Sequence, residues 1–135
     1  MESIDETGAI AAAKYYMGLF EYVHLTGDLT KWNEMASSSC DFCKAVSEGV
    51  KDLHEKGHYR RSGPPEWLGE ARTQKVGTRT MWEVHMRARV SGSTTYDKDG
   101  QVVDTNDPER VTVSLGMQHD GTGWKTVEVL VEGDA

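Results

Sequence analysis

The chain has 135 residues, which suits one domain of ordinary size and leaves no room for a second folded unit. Lys+Arg 15 against Asp+Glu 22 gives a formal net charge of -7, a surface that repels phosphate backbones, so nucleic acid is set aside as a partner. No apolar run approaches the roughly 20 residues of a spanning helix, because Lys14, Gly18 and Glu21 interrupt the alanine-rich segment near the start.

Residues 5–25 carry Ala9, Ala13, Tyr16, Met17, Phe20 and Val23 or His24 at spacings of three and four, one stripe of an amphipathic helix that Gly27 stops. Residues 28–36 open with Asp28, suited to N-capping, and place Leu29, Trp32 and Met35 at helical spacing, which predicts a short second helix. Ser37, Ser38 and Ser39 supply N-cap candidates for a third helix running to Lys56, with Phe42, Val46, Val50 and Leu53 on one stripe and Gly57 as its C′ residue. Gly63-Pro64-Pro65 is a break.

Beyond it the period becomes two. Residues 67–76 alternate poorly, whereas residues 79–90 alternate well: Trp82, Val84, Met86, Ala88 and Val90 share one face, and Glu83, His85, Arg87 and Arg89 the other. Residues 91–96 and 101–104 are arms of a hairpin whose turn ends at Gly100. Residues 110–118 put Val111, Val113, Leu115 and Met117 on one side. A turn at residues 120–123 then leads to a last strand at 124–131. The class is α+β: a helical part, 1–57, packed on a curved antiparallel sheet of about four strands, 66–131, as one domain over 1–135. A helix lying in a curved sheet makes a cone.

This order of elements resembles the NTF2-like, or cystatin-like, superfamily of conical domains. Tyr15-Tyr16, Phe20-Glu21-Tyr22, Thr26-Gly27-Asp28, Cys40-Asp41-Phe42-Cys43 and Glu55-Lys56-Gly57 resemble, more narrowly, an uncharacterised family of actinobacterial cell-envelope proteins, exported and often lipoproteins. The resemblance implies an extracytoplasmic location, with a signal peptide, a lipid-attachment cysteine and a Ser/Thr/Pro linker ahead of Met1, and membrane contact only through that anchor. It implies no catalytic residue and no cofactor. The opening Met1-Glu2-Ser3-Ile4-Asp5-Glu6 itself lacks the basic and apolar regions of an export signal, as in a cytosolic protein or one whose leader has been removed.

Cys40 and Cys43 are the sharpest chemical signal. Three residues apart in a first helical turn, their Cα atoms lie about 5 Å apart, within disulfide range, and in an oxidising compartment a disulfide is the plain reading. A redox pair would need a lowered thiol pKa and a strand before the motif, where a serine run stands instead. Zinc shared with His54 and His58 would need one helix to bring both of its ends to a single ion. His24, His85 and His119 are scattered. Asp97, Asp99, Asp104, Asp107 and Glu109 read as solvated turns and loops rather than calcium ligands, so no metal is expected.

For a pocket, the expected lining is Tyr16, Phe20, Trp82, Val84, Met86, Val113 and Leu115, a set without a carboxylate or histidine. Only Tyr15, Tyr16 or His24 remain as proton donors or acceptors. His85, Arg87, Arg89 and Arg110 form a partly basic strip on the outer sheet face, a candidate docking surface. The reading is a non-enzymatic, exported envelope binding or accessory domain whose partner is an envelope protein, a glycan or a small apolar ligand. The alternative is a small enzyme of the isomerase, dehydratase or cyclase type using an apolar conical pocket.

Overall fold

The structure, a computed structural model, describes residues 3–77 and 79–133. Helix α1, Glu6–Thr26, starts where the Asp5 side chain accepts the Gly8 amide hydrogen at 2.9 Å, and it ends where Gly27, at φ 77°, returns its N–H to the Val23 carbonyl. Ala9, Ala12 and Ala13 are fully buried, so the backbone of α1 lies close against the sheet. Tyr16 follows them into the core and stacks on Trp32 of α2, Thr30–Met35, with ring centroids 4.1 Å apart.

Helix α3, Asp41–Glu55, is capped by Cys40 and not by the serines. Those are occupied elsewhere: the Ser37 amide donates to the Thr126 carbonyl and the Ser39 hydroxyl to the Val127 carbonyl, tying this turn to the last strand. The helix closes at Gly57, φ 78°, with the His58 amide bonded back to the Leu53 carbonyl.

Seven strand segments follow: β1 (Tyr59–Ser62), β2 (Glu66–Lys75), β3 (Met81–Val90), β4 (Ser93–Tyr96), β5 (Val102–Asn106), β6 (Glu109–His119) and β7 (Trp124–Gly133). They form two antiparallel sheets, of order β2-β3-β6-β7 and β1-β4-β5. The expected antiparallel sheet of about four strands is β2-β3-β6-β7, and the three-stranded sheet is an addition to it. One long hairpin supplies both sheets: it bends where β3 passes into β4 at Ser91-Gly92 and where β5 passes into β6 at Asp107-Pro108. Gly92 permits the bend, since a Cβ there would sit 2.8 Å from the Asn106 carbonyl oxygen and 3.2 Å from Pro108 Cδ. Proline lacks the N–H that would continue the ladder.

Strand β1 lies between Gly57 and the Gly63-Pro64-Pro65 break, a stretch for which the sequence suggested no element. It pairs with β4, Tyr59 opposite Tyr96, and those rings stack at 5.3 Å. The irregular alternation of β2 also has a cause: its register with β3 shifts between Leu68 and Arg72, around Gly69 at φ 71°.

In the larger sheet the pairs Trp82–Met117, Val84–Leu115, Met86–Val113 and Ala88–Val111 face the helices, all buried. Each fully buried aliphatic side chain contributes about 1.5–3 kcal/mol. The periods of three-to-four and of two thus meet in one core, as the α+β reading requires.

Candidate functional site

A cavity of about 360 Å³ opens at the bend, between the C-terminal half of α1, the two sheets and the start of α3. On α1, the positions i, i+3 and i+4 present Met17, Phe20 and Glu21 to it. Trp67, Ala88, Val90, Val111, Val113 and Val131 form the sheet wall, and Phe42 comes from α3. The three-stranded sheet closes the remaining side: Arg60 and Ser62 of β1 share a face with their partners Thr95 and Ser93, both buried. Asp107 and Glu109, exposed, stand at the rim.

The interior expected to lack titrating groups contains Glu21 and Arg60. Burial is the main cause that pushes the Glu21 carboxyl up to about 7, against smaller opposing effects of its own backbone amide and the Arg60 charge. Its Oε2 atom is buried with no hydrogen-bond partner among the described residues, as is Nε of Arg60. Burial also draws the Arg60 guanidinium below its ordinary range, opposed by the charges of Glu21 and Asp104. The guanidinium lies over the Phe20 ring, 5.2 Å from its centroid.

Beside this pair His24 bonds through Nδ1 to the Phe20 carbonyl at 2.7 Å, and burial holds its pKa down, opposed by that bond and assisted by Arg60 and His54. His54 in turn bonds the His24 carbonyl at 2.9 Å, the far end of α3 meeting the far end of α1.

Of the expected lining, Phe20 and Val113 border the cavity. Tyr16, Trp82, Val84, Met86 and Leu115 do not; they are packed into the solid core deeper in the cone. Tyr16 keeps its hydroxyl buried without a partner among the described residues, and burial raises its pKa beyond the normal range of a phenol. Tyr15 lies on an exposed face, next to a separate shallow groove with Lys31, Glu34 and Trp124.

Glu21 carries a signal that sequence reasoning passed over: Met17, Phe20, Glu21 and His24 are one helical stripe, so Glu21 is an acid set within an apolar face. Arg60 had no comparable signal, because β1 has no periodic pattern and forms only through its tertiary partner. Asp107 and Glu109, read as a solvated loop, border the cavity because the hairpin bends there.

Cys40 and Cys43 are disulfide-bonded, with Cα atoms 5.3 Å apart and both side chains buried. Trp32 donates its indole N–H to the Cys43 carbonyl at 3.1 Å, so the bridge anchors α2 against the first turn of α3. Bonded to each other, the two sulfurs present no free thiol in this state. Among the described residues no group of three His, Cys, Asp or Glu is placed to hold a metal ion.

His85, Arg87, Arg89 and Arg110 do share the outer face of the larger sheet, with Arg89 directly opposite Arg110. The same face bears Glu66, Glu83, Glu128 and Glu132 as cross-strand neighbours. Arg89 pairs with Glu66 at 3.2 Å, and His85 lies 3.5 Å from Glu83 and 3.0 Å from the Ser114 hydroxyl. The expected partly basic strip is interspersed with acids, and Arg89 and His85 find partners within it.

Similar architecture recurs in proteins of very different sequence. The chain is similar to the intermembrane-space region of the chloroplast protein ARC6, with TM-score 0.67, 12% identity and 95% of each chain covered. An uncharacterised cystatin-like protein from Caulobacter vibrioides matches with TM-score 0.59 at 10% identity, covering 96% of this chain and 89% of that one. A putative dehydratase from the NTF2-like family of Streptomyces avermitilis matches with TM-score 0.59 at 9% identity, covering 96% and 99%. No curated protein matches the chain in sequence.

Helices before a bent antiparallel sheet, enclosing a cavity at the open end, define an NTF2-like, or cystatin-like, α+β domain. Within that class the chain belongs to DUF6318, a family of unknown function, over residues 1–130.

Proposed function

We propose that this chain is an extracytoplasmic binding domain that takes a small, largely apolar ligand into the cavity between α1 and the bent hairpin. The cavity itself carries the reading: about 360 Å³, walled by Phe20, Trp67, Val90, Val111 and Val113, with a few polar groups inside, is the usual form of a small-molecule site. The buried disulfide supports the location, since such bridges persist in oxidising compartments. The resemblance of Thr26-Gly27-Asp28 and Cys40-Asp41-Phe42-Cys43 to an exported, often lipid-anchored family is the ground for including a lipid anchor in this reading.

The test of binding is a fragment screen by NMR. Shifts clustering on Phe20, Trp67 and Val113 support the cavity as the site, and a screen in which no fragment moves them refutes it. Location is tested by feeding an alkyne-tagged palmitate to cells making the full-length product: incorporation supports the anchor, and an untagged protein in the cytosolic fraction refutes it.

One observation favours a second reading, a small enzyme of the isomerase, dehydratase or cyclase type. A carboxyl titrating at about 7 inside an apolar cavity suits proton transfer near neutral pH. The similar Streptomyces avermitilis protein is a putative dehydratase, a likeness of fold only. Octan-2-one in deuterated buffer separates the readings: exchange of its α-hydrogens that Glu21→Gln abolishes supports the enzyme, and binding without exchange supports the carrier.

A further inference from the structure

The polar groups of the cavity differ in how far the protein itself uses them. Asn106 donates to the Ser93 hydroxyl at 3.1 Å, and the Ser62 hydroxyl bonds the Gly63 carbonyl at 3.4 Å. Ser91, Asp107 and Glu109 border it on the exposed side, and Glu21 and Arg60 remain inside. Each lines the cavity, each has an inner atom buried without a partner, and neither forms an ion pair among the described residues.

Their charges nevertheless constrain what can enter. Arg60 feels the opposite charge of Glu21, which lines the cavity with it, and less strongly that of the exposed Asp104 outside, so with Glu21 ionised the two charges inside the cavity offset each other. A ligand with a charged head would bring an uncompensated charge into a place where burial already penalises both resident ions. Asp107 and Glu109 at the rim add repulsion against an incoming anion. A head that both donates and accepts suits an acceptor on one wall and a donor on the other with no net charge added.

We propose that the cavity selects an apolar molecule whose polar group is uncharged and both donates and accepts hydrogen bonds, an alcohol or a primary amide, received between Glu21 and Arg60. The inference rests on the cavity being the ligand site. The test uses one tail with four heads: octan-1-ol, octanamide, octanoate and octylammonium. Each is titrated at about pH 8.5, where Glu21 is ionised and octylammonium keeps its charge, and followed through shifts at Phe20 and Val113.

The alcohol and the amide bind at least about tenfold more tightly than either ion. Glu21→Gln leaves Arg60 without its cavity counter-charge and moves the preference toward octanoate; Arg60→Met leaves Glu21 alone and moves it toward octylammonium. Ratios are compared within each variant, so a general loss of stability does not imitate the result. Tighter binding of either ion to the native chain, or four equal affinities, overturns this inference and leaves the cavity as the ligand site. Silence at Phe20 and Val113 with all four overturns the cavity reading and this inference together.

Discussion

Replacing Glu21 by glutamine removes a titration that the fold makes costly. The carboxyl ionises at about 7 in the folded chain against an ordinary value of 4.5, with burial as the main cause. Between those two values the folded chain holds a proton that the unfolded chain has released, so the free energy of unfolding falls as pH rises. Stability from the protonated form is complete below 4.5 and is lost as pH passes through about 7. Fully desolvated, such a displacement corresponds to about 3 kcal/mol; Glu21 is only partly buried, and solvent screening reduces this to about 1–2 kcal/mol. Glutamine resembles the neutral acid in shape and carries no proton to lose. Glu21→Gln is therefore near parity with the native chain at about pH 5 and more stable by about 1–2 kcal/mol at about pH 8. His24 works in the opposite direction, since burial lowers its pKa and stability falls as pH drops below 6.5. That slope is common to both proteins and cancels in the difference. Urea unfolding followed by tryptophan fluorescence across this range measures it. A difference between the two proteins that stays constant with pH refutes the buried-carboxyl account.

Further outcomes concern the frame around the site. Replacing Cys40 and Cys43 together by serine costs about 2 kcal/mol, the value for so short a loop; because both sulfurs are buried, iodoacetamide after mild reductant labels them only when denaturant is added, and rapid labelling of the native chain contradicts their burial. Trp32→Ala removes the stack on Tyr16 and the bond to the Cys43 carbonyl, lowering stability by about 3–5 kcal/mol in the same urea assay. Gly92→Ala forces a Cβ against the Asn106 carbonyl and costs about 1–3 kcal/mol. It also shifts the amide resonances of Ser93 and Asn106; an unchanged unfolding midpoint would mean that the bend has slack there.

Periodicity was enough for most of the fold. A stripe at three and four through Ala9, Tyr16 and Phe20, and strict alternation through Trp82–Val90 and Val111–Met117, dictate which side of each element must be dry. Glycines at 27, 57 and 100 mark where elements stop, because they take backbone angles other residues avoid. The disulfide was likewise legible, since a three-residue spacing at a helix start brings two Cα atoms within reach of one bond.

What periodicity could not express was where a long hairpin would bend. That depends on Gly92 meeting Asn106 and Pro108 across the ladder, a contact between segments distant in sequence. The bend sets a second sheet beside the expected one, recruits β1 from an unpatterned stretch, and brings Arg60 into the same cavity as Glu21. Local sequence specifies which faces avoid water because that is a property of each segment alone. The placing of a carboxyl and a guanidinium in one cavity belongs to no segment, and the tertiary fold alone decides it.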